Sequence, residues 1–506
     1  MNDEPRRPGT ARLLAKNTLY NLGTQVLLVI VSFLSFPVIV RGVSAEGFGL
    51  LSLIWVLIGY FSLLDLGVSR AITKFIAEYL ARDEERRIHD ITWTSLSMSV
   101  ILGLLVGLVI LSTRELVLSS LFHVAGTLRD EAKASLLIAA VGIPFMLAQG
   151  ILRGVQTAYQ RFDLVNGFQA AMGGMQWLGS IVIVLAGGGV REIVLLTVAS
   201  RVLAVGASLA ILPRMMPGIF ARIRFWDSGL ARNLLSFGGW VSLSQATGPL
   251  FLYVDRLMIA TFMALPAVAY YTVPQETVSR MLILPLSMTA ALYPVLSGWS
   301  TGMKGSELAG AAYARAVKYV ALLILPPAVL LFGFSQEILR AWMGAEFAGH
   351  GSLPLQILLV GLLFNAVSQI PVTALHAYGR PDLPAKFNLV ELPVMIGLNL
   401  LLIPMFGIAG AAVTWSLRVM LDAVLLFRAA RPYSRGVGFM PQKTEAVRGM
   451  LALVTLLAFL VAVENPWARV AAACVFIVAY GFGVWKHWFD ETDRVFVLEL
   501  KGRLLG

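Results

Sequence analysis

Residues 26–64 read "VLLVIVSFLSFPVIVRGVSAEGFGLLSLIWVLIGYFSLL". Two apolar runs flank a short polar break, and each belongs to a stretch of about 20 residues, enough to cross a bilayer as a helix. The runs are apolar all round, not striped on one face as in a soluble helix. The same texture fills the chain. Hydrophobic residues make up 58% of 506 positions and charged residues 14%, where a soluble globule carries about 25% charge. Mean hydropathy is +0.78. The sequence therefore specifies an all-α polytopic membrane protein.

Hydropathy places fourteen spans. Six lie at about 17–40, 47–68, 91–112, 134–157, 164–187 and 190–212. Six more lie at about 236–262, 267–296, 312–334, 353–377, 385–404 and 408–428, and a final pair at about 447–463 and 467–485. The net charge of +11 follows this topology. With a cytoplasmic N-terminus, 28 of the 40 Lys and Arg fall in inner segments, 7 in outer loops and 5 within or at the edge of spans. That bias predicts both termini inside, so the basic balance is read as topology and not as a nucleic-acid footprint. The first apolar run exceeds the 7–15 residues of a typical signal-peptide core, so it is expected to stay as span one.

A short phrase occurs twice: "AYQRFDL" at 158–164 and "AYGRPDL" at 377–383, 219 positions apart. "ASRVLAVGASL" (199–209) aligns with "SLRVMLDAVLL" (416–426), setting Arg201 against Arg418 at an offset of 217. "AEGFGLL" (45–51) corresponds to "PAVAYYTV" (266–273). The common spacing predicts two six-helix lobes, 1–225 and 226–432, related by a parallel internal repeat as in some secondary transporters. A linker, two C-terminal helices and a cytoplasmic tail occupy 433–506.

Charges inside apolar spans cost about 2.5–3.5 kcal/mol each on insertion scales. Arg201, Arg280 and Arg418 fall nearest mid-span, and Arg153 near the inner end of span four. Glu276 with Arg280 and Arg418 with Asp422 are spaced to meet on one helix face; Arg201 has no acidic residue in its own span. Polar stripes recur at helical spacing: Asn17, Asn21 and Gln25; Gln149, Arg153 and Gln156; Tyr270, Tyr271 and Gln275; Asn365, Ser368 and Gln369. Two readings stand. The charges are buried structural pairs and the stripes interhelical glue, or both halves line a shared hydrated cavity that holds an anion. Asp255, Glu276, Glu391 and Asp422 are the carboxylates placed to couple such a cavity to an ion gradient.

Other chemistry finds no purchase. The chain contains no Walker A sequence, no Ser–His–Asp candidate and no His/Cys/Asp cluster at metal-ligand spacing, so no cofactor or metal is expected. Its one cysteine, Cys474, excludes an intrachain disulfide.

Residues 36–81, "FPVIVRGVSAEGFGLLSLIWVLIGYFSLLDLGVSRAITKFIAEYLA", resemble the opening of bacterial polysaccharide exporters. These are the Wzx-type oligosaccharide flippases of the multidrug/oligosaccharidyl-lipid/polysaccharide exporter superfamily. "YVDRLMIATFMALPAVAYYTV" (253–273) and "FGIAGAAVTWSL" (406–417) resemble the start of that family's second lobe and its twelfth span, although Ala269 replaces the usual Gly before the aromatic. The resemblance implies a non-enzymatic flippase of undecaprenyl-diphosphate-linked oligosaccharide in the bacterial inner membrane, working by alternating access and driven by an ion gradient. Its implied partners are this lipid-linked substrate, membrane lipid, and a polysaccharide polymerase with chain-length proteins. A cation-coupled drug exporter and a peptidoglycan-precursor flippase are the nearest alternatives. Mid-membrane arginines favour an anionic lipid over a cationic drug, and short outer loops argue against a membrane enzyme of polysaccharide assembly.

Overall fold

The computed structural model describes residues 8–62, 67–122, 124, 126, 128–221, 223–245, 247–298, 303–432, 463 and 465–483. The linker at 433–449, most of predicted span thirteen, Asp65 and the C-terminal tail lie outside them, as do the side chains of Asn17 and Asn21. Among the described residues, nine helices are long and apolar enough to cross a membrane.

The chain opens with α1 (Pro8–Ser62), whose backbone leaves helical geometry at Ser44 (φ 66°). There the Ser44 hydroxyl accepts a hydrogen bond from Gly47 N at 3.2 Å, capping the run that follows. The polar break read in the sequence is therefore a turn between two apolar segments. Next come α2 (Val68–Leu80), α3 (Glu85–Leu116), α4 (Leu128–Ala158), α5 (Phe162–Leu185) and α6 (Val190–Met215). After an irregular stretch follow α7 (Ser228–Gln245), α8 (Thr247–Phe262), α9 (Leu265–Met281) and α10 (Ile283–Gly298). The rest comprises α11 (Met303–Gly333), the short amphipathic α12 (Ser335–Met343), α13 (Ala345–Ala377), α14 (Asp382–Phe406), α15 (Ile408–Ala430) and α16 (Pro466–Gly483).

Two compact units divide the chain. The first holds Met1–Val273 with Asn388–Ala411, the second Pro274–Phe387 with Ala412–Gly506. In lipid, helices gain little by burying apolar surface against one another, so close packing of small residues carries the association. The first unit does this with two Gly-xxx-Gly pairs. Gly103 and Gly107 of α3 lie against Pro144 Cα and Ala140 O of α4, where an added Cβ would sit 2.5 and 2.8 Å away. Gly154 of α4, four residues after Gly150, abuts Ser69 O of α2 in the same way, and Thr73 donates to Gly154 O at 3.0 Å. At one end of this unit, Ile72, Ile76, Ile88, Leu152, Leu212 and Ile219 form an apolar cluster, and Trp93 Nε1 donates to Ile219 O at 3.0 Å.

In the second unit, Pro326 removes the N–H that would bond the carbonyl four residues back, Leu322 O. Tyr480 of α16 takes that place, its hydroxyl donating to Leu322 O at 2.9 Å. Arg469, at the other end of α16, pairs with Glu337, donates to Gly333 O and lies over the Phe334 ring at 5.3 Å. α16 is thus held at both ends by polar contacts to α11 and α12.

The repeated phrase builds the same turn twice. After α4, Arg161 N donates to Gln156 O at 2.9 Å with Gln160 at φ 55°; after α13, Arg380 N donates to Leu375 O at 2.8 Å with Gly379 at φ 72°. Both are Schellman endings. In each, the arginine then grips the aspartate two residues on, Arg161–Asp163 at 2.8 Å and Arg380–Asp382 at 2.9 Å.

Candidate functional site

Functional chemistry in the first unit gathers at two places. The first is the seam where α4 packs on α6. Arg201 lies near the middle of the 26-residue α6, half-buried, its Nη1 donating to Met172 Sδ at 3.0 Å. Exposed Arg153 on α4 is close enough for its charge to repel that of Arg201. Among the described residues, no carboxylate lies within ion-pair reach of either guanidinium. Two like charges inside apolar helices, with no counter-ion among the described residues, make a site suited to an anion.

The same seam carries buried amides. Gln156 Nε2 donates to Ser208 Oγ across the two helices at 3.2 Å. The side-chain oxygens of Gln156 and of buried Gln149 have no partner among the described residues. Leaving such an acceptor buried and unmet costs about 1–3 kcal/mol, so a hydroxyl-bearing ligand or water is the natural complement.

The second place is a closed carboxylate cluster. Asp255 of α8 is fully buried. Its two oxygens accept from Tyr271 Oη of α9 at 2.8 Å and from Asn399 Nδ2 of α14 at 2.7 Å. Tyr60 stands within reach of the Asp255 charge, its ring 5.5 Å from that of Tyr253. On α14, Glu391, Met395, Asn399 and Ile403 form a buried stripe one turn apart, so Glu391 shares a helix face with Asn399. This arrangement keeps the carboxylate out of solvent with a donor on each of its oxygens.

The remaining predicted residues are distributed as follows. Gln25 is exposed on α1, and Tyr270 is buried on α9 beside Tyr271. In the second unit, Glu276 and Arg280 pair at 3.4 Å, both partly exposed, as their spacing predicts. Arg418 and Asp422 are half-buried one turn apart on α15, and Gln275 is buried. Asn365 and Gln369 satisfy each other along α13, Gln369 Nε2 donating to Asn365 Oδ1 at 3.1 Å. Tyr271, which the sequence placed beside Tyr270 in a polar stripe, donates to Asp255, whereas Asn399 and Ser208 are partners that sequence reasoning did not single out. Asn399 alone left a signal, as an amide in an otherwise apolar run two turns beyond Glu391.

A family model described as "Polysaccharide biosynthesis protein" matches residues 14–299. The chain is 25% identical over 420 residues to the "Putative O-antigen transporter" of Shigella flexneri, covering 82% of this chain and 96% of that one. Its fold superposes on the lipid II flippase MurJ in an inward closed conformation with a TM-score of 0.72, at 14% identity over 93% of this chain and 98% of that one. It also superposes on a multidrug resistance MATE family transporter of the MOP superfamily, inward-facing, with a TM-score of 0.70, at 17% identity over 83% and 94% of the two chains. The all-helical membrane fold expected from hydropathy is thus the fold of these transporters.

Proposed function

This chain belongs to the polysaccharide biosynthesis protein family, and on that premise we propose that it carries a lipid-diphosphate-linked oligosaccharide from one leaflet of the bacterial inner membrane to the other. The observation that carries this reading is the Arg153–Arg201 pair, two cations in apolar helices with no carboxylate in ion-pair reach among the described residues. A planar guanidinium binds two phosphate oxygens at once, which a lysine cannot do. The orphaned oxygens of Gln149 and Gln156 then accept from sugar hydroxyls. Transport proceeds by alternating access, the site opening to one face of the membrane and then the other. Proton or sodium uptake at Asp255, assisted by the Glu391 face of α14, supplies the coupling. Both termini are assigned to the cytoplasm on the positive-inside bias. The two matching turns support repeat lobes at 1–225 and 226–432. The glycan chemistry before and after transport belongs to separate enzymes, including the polymerase and chain-length proteins.

The test uses inverted membrane vesicles and a fluorescent lipid-linked oligosaccharide. Arg153→Ala and Arg201→Ala are expected to lower the initial translocation rate at least tenfold while the protein folds and inserts normally. Wild-type rates in both variants would remove the basis of this assignment.

A further inference from the structure

On an exposed apolar face of the first unit, α2, α3, α4 and α7 leave an open cavity of about 150 Å3. Val68, Ile101, Leu102, Leu105, Trp226 and Leu235 line it. Its polar lining residue, Ser99, turns its hydroxyl to Leu96 O at 2.8 Å and presents no group to an occupant. An apolar cavity of this size takes a group about as large as benzene, enough for a stretch of acyl chain, with the rest of a longer chain continuing along exposed Leu105 and Leu108.

One end of this slot is chemically different. Trp226 closes it, and Phe220, Ile223 and Phe225 are exposed beside it in the irregular stretch between α6 and α7. Trp93 packs against Phe220 and Phe225, each at 5.8 Å between ring centroids, fixing that stretch to α3. Aromatic residues in such a girdle mark the level of lipid headgroups. Arg224 pairs with Asp227 at 3.1 Å and reaches Asp90 at 3.9 Å, so its charge is largely answered. Arg232 is not so placed. It is exposed on the first turns of α7, three residues before Leu235 and so on the same helix edge, and among the described residues no carboxylate lies within ion-pair reach. An apolar slot that runs into the bilayer from a belt of aromatics with an unanswered arginine has the charge and polarity order of an anionic lipid.

We propose that this groove is a specific site for an anionic glycerophospholipid, one acyl chain in the slot and the phosphate on Arg232. The site uses none of the Arg153–Arg201 seam residues, although Ile151 of α4 also lines it, and it does not rest on the transport reading. The bound lipid would tie the stretch between α6 and α7 to α3, the place where the chain passes from one predicted half to the other.

Full-length protein in mild detergent is titrated with phosphatidylglycerol or phosphatidylcholine and followed by native mass spectrometry. Acyl-chain diazirine analogues of both lipids then map the contact. Phosphatidylglycerol is expected to be retained at about fivefold lower concentration than phosphatidylcholine and to label peptides containing 98–105 and 226–235. Arg232→Gln, an exposed change that leaves the core untouched, should bring the two lipids to equal retention. Leu102→Trp, which fills the slot, should remove the labelling at both peptides. Equal retention by the wild type, an undiminished preference in Arg232→Gln, or labelling confined to other helices would overturn the proposal. So would displacement of the label by a polyprenyl diphosphate but not by phosphatidylglycerol, since the slot would then hold the isoprenoid chain of a transport substrate.

Discussion

Arg201→Met separates a binding role from a structural one because the two predict opposite signs for stability. An arginine near mid-bilayer costs about 2.5–3.5 kcal/mol on insertion scales. Here its visible compensation is small, a 3.0 Å contact to Met172 Sδ, a weak acceptor, and the like charge of nearby Arg153 opposes it further. A methionine fills the same stem volume without the charge. Taking about 3 kcal/mol relieved and about 1 kcal/mol lost with the hydrogen bond, the variant should be more stable by about 2 kcal/mol. Transport should move the other way. Each charge-assisted hydrogen bond to a phosphate contributes about 1.5–3 kcal/mol, and 1.4 kcal/mol is a factor of ten. Losing one such bond raises the half-saturation concentration about 10- to 100-fold, and loss of the whole guanidinium should raise it by at least that much. Denaturant unfolding of the purified protein gives the first quantity, and lipid-linked oligosaccharide titration in proteoliposomes the second. A variant that is less stable than wild type by 1 kcal/mol or more, yet transports with unchanged half-saturation, would show that Arg201 is a strut and that the reasoning about an open anion site is wrong. A more stable but inactive protein is the trade expected where function demands an unfavourable charge.

Other consequences can be checked with less effort. Gly103→Ala drives a methyl into Pro144 at the α3–α4 crossing and should destabilise by about 1–3 kcal/mol, read as a lower thermal midpoint in detergent. Tyr480→Phe leaves Leu322 O without the donor that replaces the missing Pro326 N–H; the expected cost is about 1–3 kcal/mol, with faster hydrogen exchange confined to α16 and the middle of α11. At the twin turns, Gly379→Ala should cost about 1 kcal/mol because its φ of 72° suits glycine, whereas Gln160→Gly should be neutral or slightly stabilising at φ 55°. Asp227 caps α7, its carboxylate held below the usual range first by the Leu230 N–H, with Arg224 and the Gly229 N–H assisting. That contribution is complete above the unfolded value near 4 and is lost as pH falls through the lower folded value. Asp227→Ala should therefore lower stability by about 1 kcal/mol at neutral pH and by progressively less as the medium is acidified, which pH-dependent melts would show.

The sequence by itself determined the helical membrane fold, because long apolar runs have no other way to satisfy their backbone in lipid. It also determined the turn at Ser44 and the two Schellman endings, since caps and left-handed residues act over four or five neighbours. It marked Arg201 for the same local reason, a charge standing in an apolar span. Contacts made across long separations were a different matter. Asn399 meets Asp255 from 144 positions away, Gln156 meets Ser208 from 52, and Tyr480 reaches a carbonyl 158 residues back. Helical periodicity places a residue on a face but does not say which helix that face will meet. Only packing decides that, through the close approach that Gly103, Gly107 and Gly154 permit. The arginines were therefore visible in the string of letters, while the buried cage around Asp255 and the apolar slot beside Trp226 came into being only when the helices were brought together.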